Sequence, residues 1–156
     1  MSLHHNSSAA YLDAVPEYAA ECLLSAAPSS VRDARSMVRR ELSLWGVDDL
    51  IDDCVLVVSE LVTNAVKHGG AACALRIRGG GGGLVHGELF DPGAGAPRVC
   101  ARDMEATGGR GLQIVDALAD DWGVTHSSSG GKTVWFVLSL PEPVRPHPTG
   151  IPALRL

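Results

Sequence analysis

VVSELVTNAVKHGG, residues 57–70, sets a carboxylate and a carboxamide, Glu60 and Asn64, at i and i+4 in an otherwise apolar run. In a helix that spacing projects both side chains from one face. The flanking pattern predicts the helix, from about Asp48 to His68, with acidic residues at its positive dipole end and Gly69-Gly70 closing it. Ile51, Val55, Val58, Val62 and Val66 recur as an apolar stripe nearly opposite Glu60 and Asn64, while Leu56 and Val57 are expected towards the polar side. A helix that is apolar almost all round is buried on most sides, so the polar pair must face a pocket. Polar groups in such a place are costly unless something pairs with them. A hydrated Mg²⁺ carrying a nucleotide is one such partner, because it takes hard oxygen ligands and keeps several waters. Lys67 and His68 fall on the same polar face; both suit any helix C-terminus, and Lys67 is also a candidate for phosphate contact.

The bulk of the chain narrows the classes. Its 156 residues predict one domain, 19–141, between a loose tail at 1–18 and a proline-rich tail at 142–156. An apolar share of 46% supports a core, and 4% aromatic makes that core aliphatic. A net charge of −5 argues against direct nucleic-acid binding, which favours a basic face. No apolar run reaches the roughly 18 residues that cross a bilayer. The opening MSLHHNSSAA lacks the basic-then-apolar order of a secretion signal, so a cytoplasmic chain is expected. Cys22, Cys54, Cys73 and Cys100 are widely spaced, which favours reduced thiols over a disulfide framework or a metal site.

Around the central helix the periodicity changes twice. ECLLSAAP (21–28) reads as a short edge strand ending at Pro28, and Ser30-x-x-Asp33 resembles a capping box opening a helix from about 30 to 45, closed by Gly46. ACALRIR (72–78) and GLVHGELF (83–90) alternate as strands of a hairpin across the glycine run at 79–83. Residues 92–107 are loop-like, a third helix is expected from about Arg110 to Asp121, and WGVTHS and KTVWFVLSL complete the set as strands.

Two glycine clusters carry further chemistry. Asp91 ends a strand and opens Asp-Pro-Gly-Ala-Gly, where Gly93 and Gly95 let the backbone turn and approach a flat ligand. A carboxylate at the lip of a pocket accepts a hydrogen bond, as from the exocyclic amine of adenine; a plain strand-ending turn is the other reading. Gly108-Gly109-Arg110-Gly111-Leu112 precedes a helix, where free N–H groups attract anions and Arg110 is placed to meet a terminal phosphate. This is neither a P-loop, since no Gly-Lys-[Ser/Thr] follows, nor a dinucleotide fingerprint, since no strand feeds it. Thr133 is either a plain strand former or a partner of Asp91 beneath the adenine amine, and His86 and His126 read as structural.

Taken together, Glu-x-x-x-Asn on a helix, Asp-x-Gly-x-Gly after a strand, Gly-x-Arg-Gly-Leu opening a helix and a Thr in the last strand resemble the GHKL (histidine kinase-like) ATPase superfamily. Within it the likeness is closest to bacterial anti-sigma-factor serine/threonine kinases and their actinobacterial relatives, over about 20–140. The resemblance implies a two-layer α+β sandwich: a mixed, mostly antiparallel sheet with helices on one face and ATP between. It implies Asn64 as the Mg²⁺ ligand, Glu60 as general base or as the group that orients the attacking hydroxyl, Asp91 on the adenine amine with Gly93 and Gly95 shaping that wall, and Thr133 supporting it. Gly109, Arg110, Gly111 and Leu112, with Lys67, would line the triphosphate, and 96–107, with Arg98 and Arg102, would be a lid. The implied activity is transfer of the ATP γ-phosphate to a partner regulator, an anti-anti-sigma (STAS-like) protein, with a sigma factor as a second partner. The alternative is a nucleotide-gated binding module without transfer. A homodimer is left open, and the stretch before residue 30 is too short for the phosphoacceptor helices of a sensor histidine kinase.

Overall fold

The computed structural model describes residues 17–69, 72–80, 82–93, 109–128 and 130–141. Five strands form one sheet: β1 (Tyr18–Leu24), β2 (Cys73–Gly80), β3 (Leu84–Asp91), β4 (Asp121–His126) and β5 (Lys132–Ser139), in the order β1-β2-β3-β5-β4. Every described pairing is antiparallel. The expected mixed sheet therefore has no parallel pair among the described residues. Three helices, α1 (Ser29–Leu44), α2 (Ile51–Gly69) and α3 (Gly109–Leu118), cover one side, completing a two-layer α+β fold.

Alternation along each strand divides the sheet into two faces. Cys73, Leu75, Ile77, Val85, Leu89, Val134, Phe136 and Leu138 point into the layer beneath the helices. Helix α2 supplies the other half of the core through Cys54, Val57, Val58, Leu61 and Val62, none more than 4% exposed. Val57 is thus a core residue, not one on the polar flank, because α1 and α3 pack on either side of α2 and widen its buried arc. Leu56 is exposed, in line with the outward position expected of it.

Element boundaries differ from the sequence expectation where side chains take local work. The first strand runs Tyr18–Leu24, earlier than 21–28, and is the edge strand paired with β2. Ser30 is not an N-cap: the cap is Pro28, without a side-chain bond. Ser30 lies buried inside the first turn, its hydroxyl donating 2.7 Å to the Ser25 carbonyl and so fastening the helix to the preceding loop. A 3₁₀ turn at Asp48–Leu50 precedes α2, which begins later than expected. Helix α3 stops at Leu118 because Asp120 is drawn to the far end of β5, accepting from Ser139 N at 2.7 Å and Ser139 Oγ at 2.8 Å. Gly46, at φ 72°, terminates α1 as expected.

Candidate functional site

Chain direction brings the separate motifs to one edge of the sheet. Helix α2 ends at Gly69, and only residues 70–72 separate it from Cys73, where β2 starts. Ala74 pairs with Phe90, so the start of β2 lies beside Asp91 at the end of β3. Asp91 pairs in turn with Lys132, the first residue of β5. Helix α3 is pinned at its C-terminal end to the opposite edge, where Asp120 N donates to Val137 O at 2.9 Å. Its N-terminus, with the backbone of Gly109 to Leu112, therefore points back to the Asp91 edge. The C-terminal end of α2, Asp91-Pro92-Gly93 and the start of α3 thus lie toward one end of the sheet, the candidate opening.

The side chains at that opening have distinct surroundings. Glu60 and Asn64 are half-buried on the flank of α2, and among the described residues neither has a hydrogen-bonding or ionic partner. Lys67 and His68 are exposed at the helix end, and Leu112 is half-buried. Asp91 is buried, and its Oδ1 accepts from Gly93 N at 2.9 Å. Gly93 takes φ 76° and comes so close to the next turn that an added Cβ would sit 3.3 Å from Gly130 O. This glycine is required by its turn, since both the left-handed backbone and the lack of space disfavour a side chain. Beside Asp91, burial first and then the carboxylate push the Cys73 thiol above its ordinary value. Gly95, the segment 96–107 and the side chain of Arg110 lie outside the described residues.

Thr133 is not with this group. It pairs directly with Phe90, and directly paired residues share a face, so both lie opposite to Asp91. There Thr133 lines an open groove of about 300 Å³ with Glu21, Ala74, Arg76, Glu88 and Phe90. The expected pairing of Thr133 with Asp91 is corrected by the register: the residue across from Asp91 on the helix-facing side is Lys132. Sequence reasoning missed Lys132, although its place one residue from Thr133 was the available signal.

The histidine kinase-like ATPase domain model matches residues 24–138, most of the chain. The chain belongs to that family. It is also similar in structure to the RsbU and RsbW domains of Rv1364c from Mycobacterium tuberculosis, with a TM-score of 0.62 and 26% sequence identity. That likeness covers 80% of this chain and 32% of the other, so the chain spans about a third of the protein it matches.

An ATP-binding domain of this family calls for a base-binding wall and oxygen donors for a metal, and the residues here fit both. Asp91 offers a buried carboxylate with one oxygen bonded to Gly93 N, and it suits an amine of the base. Glu60 and Asn64 offer hard oxygens on one helix face that no described residue uses. None of the described helices is long and apolar enough to cross a membrane.

Proposed function

We propose that this chain is an ATP-dependent regulatory protein kinase that transfers the γ-phosphate of ATP to a serine or threonine hydroxyl of a partner protein. The observation that carries the reading is the unused Glu60–Asn64 pair on the flank of α2, the helix whose C-terminus leads to the end of the sheet that holds Asp91. Support also comes from the family and from the likeness to a protein with an RsbW domain.

In this reading Asp91 accepts the adenine amine, with Gly93 and Gly95 forming the wall behind the base. Backbone N–H groups of Gly109, Gly111 and Leu112 at the start of α3 receive phosphate oxygens, as helix N-termini do. Arg110 and Lys67 add positive charge at the phosphate chain. Asn64, with its carboxamide oxygen, would hold Mg²⁺, which would neutralise phosphate charge. Glu60 accepts the proton of the incoming hydroxyl, whose oxygen bonds to the γ-phosphorus while ADP leaves. Such transfer depends on positioning and charge neutralisation more than on covalent help, which fits a site with one base and several donors. The partner class is an anti-anti-sigma (STAS-like) regulator, with a sigma factor as the protein held when no phosphate is transferred.

The test is phosphate incorporation from γ-labelled ATP into candidate regulator proteins by the purified chain, beside calorimetric ATP binding. Glu60→Ala is expected to keep ATP affinity within about threefold and to reduce transfer by about 100-fold or more, the scale of general-base catalysis. Equal labelling by variant and wild type would overturn the base assignment. ATP binding by the wild type with no labelled partner would favour a nucleotide-gated binding module.

A further inference from the structure

An adenine site built on a single carboxylate is chemically incomplete. A carboxylate accepts from the N6 amine of adenine, but it accepts equally well from the N1–H and N2 amine of guanine. Something beside it must read the neighbouring acceptor, N1 of adenine, if the site is to distinguish the two bases. A Thr hydroxyl at position 133 is the residue the sequence offers, and the sheet register turns it to the outer face with Phe90 and Arg76.

The residue on the correct face is Lys132. It pairs directly with Asp91 across β3 and β5 and with His126 across β5 and β4, so these three share the helix-facing side at the candidate opening. Directly paired residues have Cβ atoms roughly 4.5–5.5 Å apart, comfortably within reach of one purine edge by a four-carbon side chain. Lys132 is half-buried, and its ammonium carries three N–H donors, so a contact within the protein does not use it up.

We propose that Lys132 is a base-specificity residue, donating from Nζ to N1 of adenine while Asp91 accepts from the N6 amine. The proposal rests on the ATP-binding reading above and deepens it. With the phosphates anchored at α3, guanine in the same pose sets its O6 against the Asp91 carboxylate and its N1–H against the Lys132 ammonium. Both contacts are then mismatched. A site built to hydrogen-bond one edge rejects an analogue that leaves its polar groups unpaired.

The experiment measures affinities of the full chain for ATP, GTP and 1-deaza-ATP, which lacks only the N1 acceptor, in wild type, Lys132→Met and Thr133→Val. Thermal melts of each variant without nucleotide check folding. Wild type is expected to bind ATP at least tenfold more tightly than 1-deaza-ATP or GTP, and Lys132→Met is expected to lose affinity for ATP down to that for 1-deaza-ATP, which it binds no more weakly than wild type does. Thr133→Val is expected to retain the wild-type preference. A Lys132→Met variant that weakens both ligands equally, or that keeps the full preference for ATP, would overturn the proposal, as would loss of the preference in Thr133→Val alone. Absence of ATP binding by wild type would overturn the ATP-binding reading as well, so the two failures are distinguishable.

Discussion

At the scale of the residue, the site depends on groups that folding left without internal partners. Glu60 and Asn64 have no described hydrogen bond, whereas Ser59, next in sequence, accepts from Arg35 Nε at 2.6 Å and donates to Val55 O at 2.5 Å. One polar side chain on α2 ties α1 to α2; its neighbour one position later is half-buried with no bond to any described residue. Neither Glu60 nor Asn64 is spent on bonding within the described residues, and neither has its polar atoms buried and unpaired as His86 does, so both remain available to a ligand. Asn64→Ala is accordingly expected to remove the Mg²⁺-dependent part of ATP binding, read by calorimetry with and without the ion. The same affinity with and without Mg²⁺ in wild type, or an Mg²⁺ effect retained by the variant, would rule out the metal role. The spacing of this pair was legible in the sequence because i and i+4 on a helix are fixed by its geometry.

At the scale of the element, close backbone approach decides more than hydrophobicity. The Phe136 ring lies against Gly87, its direct partner across β3 and β5, where an added Cβ would collide with the ring. Gly87→Ala is expected to cost about 1–3 kcal/mol through overpacking, measured by denaturant unfolding. A stability equal to wild type would mean that the ring shifts freely. Trp45 lies against Gly79 in the same way and stacks on Tyr18 with ring centroids 5.7 Å apart, closing the far end of the helix layer. Within α2, burial and then the charge of Asp53 push the Cys54 thiol up to about 12. At pH 8 it is expected to stay unmodified by a thiol reagent in the native chain and to react on unfolding; rapid native labelling at Cys54 would contradict its place in the core. The helices were readable from their 3.6-residue periodicity. Their starts were less so: Ser30 is a plausible cap by composition, and only the nearby Ser25 carbonyl explains why its hydroxyl turns elsewhere.

At the scale of the whole molecule, the outer sheet face links stability to pH. His86 is 3% exposed there, stacked on Trp135, with Glu88 on its own strand and Arg78 directly across on β2. Both ring nitrogens are buried without a hydrogen bond. Burial lowers its pKa below the ordinary 6.5, Glu88 opposes this, and Arg78 adds to it. As pH falls below 6.5 the unfolded chain takes up a proton that the folded chain resists, so stability present above that value declines. His86→Leu is expected to flatten the fall in melting temperature between about pH 6.5 and 5; an unchanged slope would remove His86 as its cause. The same face holds the limit of sequence reading. Strand and helix types, their order and the chemistry of each motif follow from local spacing, because backbone geometry fixes which neighbours share a face. Val134-Trp135-Phe136-Val137-Leu138 is apolar at every position, so composition carries no period-two phase, and all five are buried. Only pairing with β3 sets that phase, turning Thr133 away from Asp91 and Lys132 towards it, because register is a property of two strands together.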